Sequence, residues 1–138
     1  MAAPLAKRVE SLRRTTLFEG VDDRSLRQIA KALSEFEARP GQVIVEARSP
    51  GSGMFVVTDG TVRVEARRER IELGPGSVIG ELALLNVDER RTARVRAVTD
   101  VSGYALSRRD FTRLLESQPK LSLALLRVLA QRLTDQMV

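Results

Sequence analysis

The sequence predicts an α+β fold that is mainly β: an antiparallel, jelly-roll-like β-roll (a double-stranded barrel) with helices at both ends. Three observations predict it. Short β-branched runs recur between about Phe36 and Ser107, separated by Gly, Pro and Asp turn signals. Apolar residues recur with helical period before Leu33 and after Arg108. At 138 residues with 43% hydrophobic content, the chain supports one domain with a core.

Within residues 1–33, Leu5, Val9, Leu12 and Thr16 share one helical face. After a break at "EGVDD", Leu26, Ile29, Ala30 and Leu33 repeat at helical spacing, with Asp22 or Asp23 as the cap. Residues 34–107 read as the β-roll through "QVIVEA", "GMFVVT", "TVRVEA", "RIEL", "TARVRAV" and "SGYAL". Pro40-Gly41, Asp59-Gly60 and Gly74-Pro75-Gly76 punctuate these runs. "TDGT" predicts a hairpin, because glycine accepts the positive φ of a tight turn. Residues 108–138 are helical again. Phe111, Leu114 and Leu115 lie on one helix, Pro119 ends or restarts it, and Leu121–Leu133 is apolar almost all round. A helix of that kind needs cover on more than one side.

Composition removes several function classes. The chain has no histidine and no cysteine. Thiolate chemistry, disulfides and histidine-based triads are therefore excluded, and a metal would need carboxylates alone. No catalytic residue set, metal site or cofactor is expected, and the chain does not read as an enzyme. No apolar run approaches the ~20 residues of a membrane span, and the N-terminus has no apolar signal core. A cytoplasmic protein is expected. The net charge is +5 and the pI about 10.6. The arginines are scattered, however, and four phenylalanines and one tyrosine offer little stacking surface for nucleic acid. The preference for arginine over lysine fits a GC-rich bacterium.

The chemistry concentrates in "GELALLNVDERRTARVRA", Gly80 to Ala97. "ELALL" is a short helix former, and a short helix leaves its first N–H groups unpaired, which favours an anion. Gly80 lets a ligand approach the backbone. Glu81 can accept hydrogen bonds from hydroxyls such as those of a sugar. In the strand that follows, Ala93, Val95 and Ala97 share one parity and Thr92, Arg94 and Arg96 the other. Arg91 therefore points inward, while Arg90 and Arg94 belong to the surface. A buried guanidinium needs a partner. It is either a bidentate phosphate ligand or one half of a structural pair with Glu81 or another acid.

This stretch resembles the phosphate-binding cassette of cyclic nucleotide-binding domains, the type found in catabolite activators, cyclic-nucleotide-dependent kinases and gated channels. Gly80-Glu81-Leu82-Ala83-Leu84-Leu85, a short loop, and Arg91-Thr92-Ala93-Arg94-Val95 follow the family's pattern. Gly41, Gly60, Gly76 and Gly80 fall at its turn positions. The resemblance covers nearly the whole chain, 1–138, as a single domain with its cassette at 80–92. It implies that Glu81 takes the ribose 2′-hydroxyl and Arg91 the cyclic phosphate. The N–H groups of Leu82 and Ala83 would bind phosphate oxygens, and Gly80 would admit the ribose. Thr92 is compatible with adenine or guanine nucleotides, and Gln136 is the candidate base contact near the end of the last helix.

The function so implied is a regulatory module that senses cyclic AMP or cyclic GMP and rearranges its C-terminal helices on binding. The alternatives are a structural or interaction domain of the same fold that binds no nucleotide, and a sensor fragment of a larger regulator or enzyme. The expected partners are the nucleotide and a second protomer or linked effector domain on the C-terminal helix. With no helix-turn-helix in the sequence, specific operator binding by this chain is not expected.

Overall fold

The computed structural model describes residues 4–46, 53–85 and 93–137. Two helices open it, α1 (Leu5–Arg13) and α2 (Asp23–Ala30). The β-region supplies β1 (Ser34–Ala38), β2 (Val43–Val45), β3 (Gly53–Asp59), β4 (Val62–Glu65), β5 (Arg70–Leu73), β6 (Val78–Ile79), β7 (Arg94–Ala97) and β8 (Val101–Ser107). A single 3₁₀ turn, Glu81–Leu84, follows β6. The chain closes with α3 (Arg108–Ser117) and α4 (Pro119–Met137).

The strands form two four-stranded antiparallel sheets, ordered β1-β8-β3-β6 and β2-β7-β4-β5. This is the expected roll with flanking helices. The expected hairpin at "TDGT" is not there. β3 pairs with β6 and β8, whereas β4 pairs with β5 and β7. The chain crosses from one sheet to the other at Gly60. The glycine is needed, but for close approach as well as for its φ of +93°. A Cβ there would lie 2.1 Å from the Asp100 carbonyl oxygen. The hairpin instead joins β4 to β5, closed by the Ala66 N–H on the Glu69 carbonyl at 2.9 Å.

The first sheet is buried on both faces, and alternation along β3 shows it. Met54 and Val56 join a core with the helices, while Phe55 and Val57 join the core between the sheets. The helical core gathers Leu12, Phe18, Leu26, Ile29, Phe111 and Leu121 against that sheet, with Phe18 and Phe111 edge to face at 5.9 Å. Phe36 and Phe55 meet edge to face at 5.2 Å inside the roll.

The helix ends follow capping chemistry. Asp22 caps α2 by accepting from the Ser25 N–H, and Ser107 caps α3 by accepting from the Asp110 N–H. Gln118 leaves the helical conformation and Pro119 restarts it as α4. One expectation is corrected. α1 stops at Arg13, so Thr16 is not on its buried face; Thr15 is the buried residue. α4 buries Leu121 and Leu125 against the core and exposes Leu123, Leu126 and Leu133, as expected of a helix whose other side awaits a second cover.

Candidate functional site: the turn after β6

The candidate site begins where β6 ends. Ile79 is held opposite Phe55 of β3 and packs into the roll core. Gly80 follows with φ of +74°, a conformation that costs a residue with a Cβ. This reverses the chain out of the sheet and into the 3₁₀ turn that opens with Glu81. Leu84 closes the turn and is 1% exposed within the helical core. The glycine kink and the Leu84 anchor together fix the backbone that presents Glu81.

Glu81 is half-buried and has a partner that no local pattern signals. Its Oε2 accepts the Leu17 N–H at 3.0 Å, joining residues 64 positions apart. Leu17 lies in the turn after α1, with Phe18 beside it in the core.

On the far side of the loop, β7 begins at Arg94. Val95 and Ala97 are 3% and 1% exposed, facing the roll. Arg94 faces out and donates through Nε to Glu46 at 2.7 Å. The strand parity read from sequence therefore holds for 94–97. Arg91 and Thr92 lie outside the described residues, as does Arg90, and so do the side chains of Leu82 and Ala83. Gln136 sits on α4, in a surface groove with Thr16, Glu19 and Gly20. The described residues thus place Gly80 and Glu81 at the end of β6, with Glu81 meeting the N-terminal turn at Leu17, and set Gln136 beside that same turn.

Three arginines of the second sheet have acidic partners at its surface. Arg94 pairs with Glu46 at 2.7 Å, Arg96 with Glu65 at 3.3 Å and Arg63 with Glu72 at 3.9 Å. These pairs sit at the surface and contribute little stability, but they break up a continuous cationic face. Among the described residues, no group of three or more acidic side chains could hold a metal ion. No helix among them is long and apolar enough to cross a membrane.

The described residues thus form two four-stranded sheets, a glycine-acid turn leaving the sixth strand, and helices packed on one face. Residues 35–118 match the cyclic nucleotide-binding domain family, and the chain belongs to that family. It is 39% identical over 106 residues to a cyclic nucleotide-gated potassium channel of Mesorhizobium japonicum, covering 77% of this chain and 29% of the channel. It is 28% identical over 130 residues to a CRP-like cAMP-activated global transcriptional regulator of Mycobacterium tuberculosis, covering 90% of this chain and 58% of the regulator. The chain thus spans less than two thirds of either relative. Among solved structures it resembles the N-terminal domain of a transcriptional regulator from Streptomyces coelicolor A3(2). That match has a TM-score of 0.78 and 32% identity, and covers 91% of this chain and 94% of the other.

Proposed function

We propose that this chain is a cytoplasmic regulatory module that binds cyclic AMP or cyclic GMP and answers by moving its C-terminal helices. The observation that carries the reading is the Gly80–Glu81 turn at the end of β6, with a positive φ at Gly80 and an acid at the first position of the 3₁₀ turn. Glu81 accepts the ribose hydroxyl. The N–H groups of Leu82 and Ala83 and the guanidinium of Arg91 take the cyclic phosphate, Gly80 admits the sugar, and Thr92 and Gln136 reach toward the base. The similarity to a cAMP-activated regulator and to a cyclic nucleotide-gated channel supports this ligand class.

The response is a population shift: the ligand must favour one helix arrangement over another. Capturing the phosphate draws the cassette inward, and α3 and α4, which share a core with Leu84, repack. The partner of α4 is a second copy of this chain. Leu123, Leu126, Ala130, Leu133 and Met137 recur in alternating steps of three and four and form one exposed stripe. Such a stripe is the seam of a coiled coil. The module itself carries out no catalysis.

Calorimetric titration with cyclic AMP and cyclic GMP tests the reading. Binding should be micromolar or tighter, and Arg91→Ala should cost about 2–5 kcal/mol, the range for removing half of a buried charge pair. A loss below about tenfold would remove Arg91 from the site. If neither nucleotide binds or shifts the melting temperature, the fold serves here as an interaction domain.

A further inference from the structure

The turn between α1 and α2 is held by several internal hydrogen bonds. The Thr15 N–H and hydroxyl both donate to the Leu12 carbonyl, at 2.9 and 2.8 Å. The same hydroxyl accepts the Phe18 N–H at 3.4 Å. Thr15 is 1% exposed, so its hydroxyl is committed to these internal partners. The Glu19 N–H returns to Thr16, and the Val21 N–H to Phe18. Arg132 of α4 donates to the Glu19 carbonyl and ties the turn to the last helix. The Leu17 N–H is not used inside the turn and donates instead to Glu81 Oε2 at 3.0 Å.

A carboxylate has two oxygens and about four acceptor positions. With Oε2 held, the side chain loses rotational freedom and Oε1 keeps a defined direction. A hydrogen bond to a fixed anion gains because less ordering remains to be done when the ligand arrives. We propose that the turn from Thr15 to Gly20 is part of the ligand site, with the Leu17 amide positioning Glu81 and Thr15 acting as the positioning residue that aims this amide. Neither touches the nucleotide. Their effect passes through the one contact between Glu81 and a ligand hydroxyl, so the proposal rests on the reading of Glu81 given above.

The test separates that route from general destabilisation. Cyclic AMP and 2′-deoxy cyclic AMP are titrated into the intact chain and into Thr15→Val, which keeps the shape of threonine but loses its hydroxyl. Cyclic AMP should bind Thr15→Val about fivefold more weakly, while the deoxy analogue should change less than twofold. Glu81→Gln should show the same selectivity with a larger loss, about tenfold, as expected for a hydrogen bond to a charged group. Thr15→Ser, which restores the hydroxyl, should recover binding. Equal losses for both nucleotides would overturn the proposal. Should Thr15→Val not fold, Arg132→Gln loosens the same turn from the surface and must show a smaller loss of the same selectivity. If the wild-type chain binds neither nucleotide, the reading of Glu81 falls and the positioning role falls with it. Hydrogen exchange at the Leu17 amide tests the clamp separately, because Glu81→Gln should speed it about tenfold without any nucleotide, and unchanged exchange would overturn the clamp.

Discussion

At the scale of single residues, charge placement at a helix start is a sensitive test of the structure. Asp22 accepts from the Ser25 N–H at 3.2 Å and from the Ser25 hydroxyl at 2.7 Å. The hydroxyl bond leads in holding its carboxyl below the ordinary range, against an opposing effect of burial. A carboxyl whose native pKa is depressed contributes stability that is fully present above its unfolded value, about 3.9. That contribution is lost as pH falls through the lower native value. Asp22→Ala should therefore cost about 1 kcal/mol at pH 7. Asp22→Asn keeps a capping oxygen without the charge, so its deficit against wild type should shrink between pH 5 and about pH 3. Thermal unfolding of the three proteins across that range checks this. A deficit that stays constant on acidification would rule out the charged cap.

At this scale the sequence was legible where a rule has a fixed period. Arg94 out and Val95 and Ala97 in follow from strand alternation alone, and capping chemistry narrows the start of α2 to Asp22 or Asp23, of which Asp22 is the cap. The partner of Glu81 was not legible, because a backbone N–H carries no side-chain signature and the two residues lie 64 positions apart. Helical period points to Thr16 rather than Thr15 only if the helix continues past Arg13, where the chain has already turned.

Among elements, the strands were easier to find than their pairing. The runs around β2, β3, β4, β5, β7 and β8 are apolar and β-branched. β6 has two residues and announces itself only through the glycines and proline around it. β1 reads "SEFEA", with polar residues outnumbering apolar ones. "TDGT" has the composition of a hairpin but serves as a crossover, since local turn chemistry fixes φ and not the sheet that the next strand joins. Gly60 tests that distinction. A hairpin glycine replaced by alanine meets only its φ penalty. At this crossover the added Cβ also lies 2.1 Å from the Asp100 oxygen. Gly60→Ala should thus cost about 2–3 kcal/mol, near the upper end for local backbone strain. A urea midpoint nearly unchanged from wild type would mean that β3 and β4 part company less tightly there than the structure shows.

For the molecule as a whole, the open question is what covers α4. Its inward face carries Leu121 and Leu125, at 2% and 9% exposure, while Leu123, Leu126, Leu133 and Met137 expose 46, 62, 61 and 85%. An isolated exposed leucine is ordinary, but a contiguous stripe marks an interaction surface. The seam steps of three and four suit a two-stranded coil, and Ala130 at its centre allows close approach of two helices. In a parallel, in-register pair, Arg127 faces Ser122 and Thr134 faces Leu129 across the flanks, so no like charges meet. A homodimer through this stripe is the expectation to test, and its affinity is set by packing quality rather than by area alone. The chain contains no cysteine, so single cysteines report cleanly. Leu126→Cys and Leu133→Cys should each form a homodimeric disulfide on mild oxidation, because parallel register brings each within the ~4.4–6.8 Å Cα separation that the bond requires. Ile71→Cys, also exposed but on β5 of the other sheet, should remain monomeric. The double variant Leu126→Glu with Leu133→Glu should stay folded and elute as a monomer, with a melting temperature that no longer rises with protein concentration. Wild-type chain that scatters light as a monomer at several hundred micromolar would sink the seam, and would make α4 the docking face for a different protein.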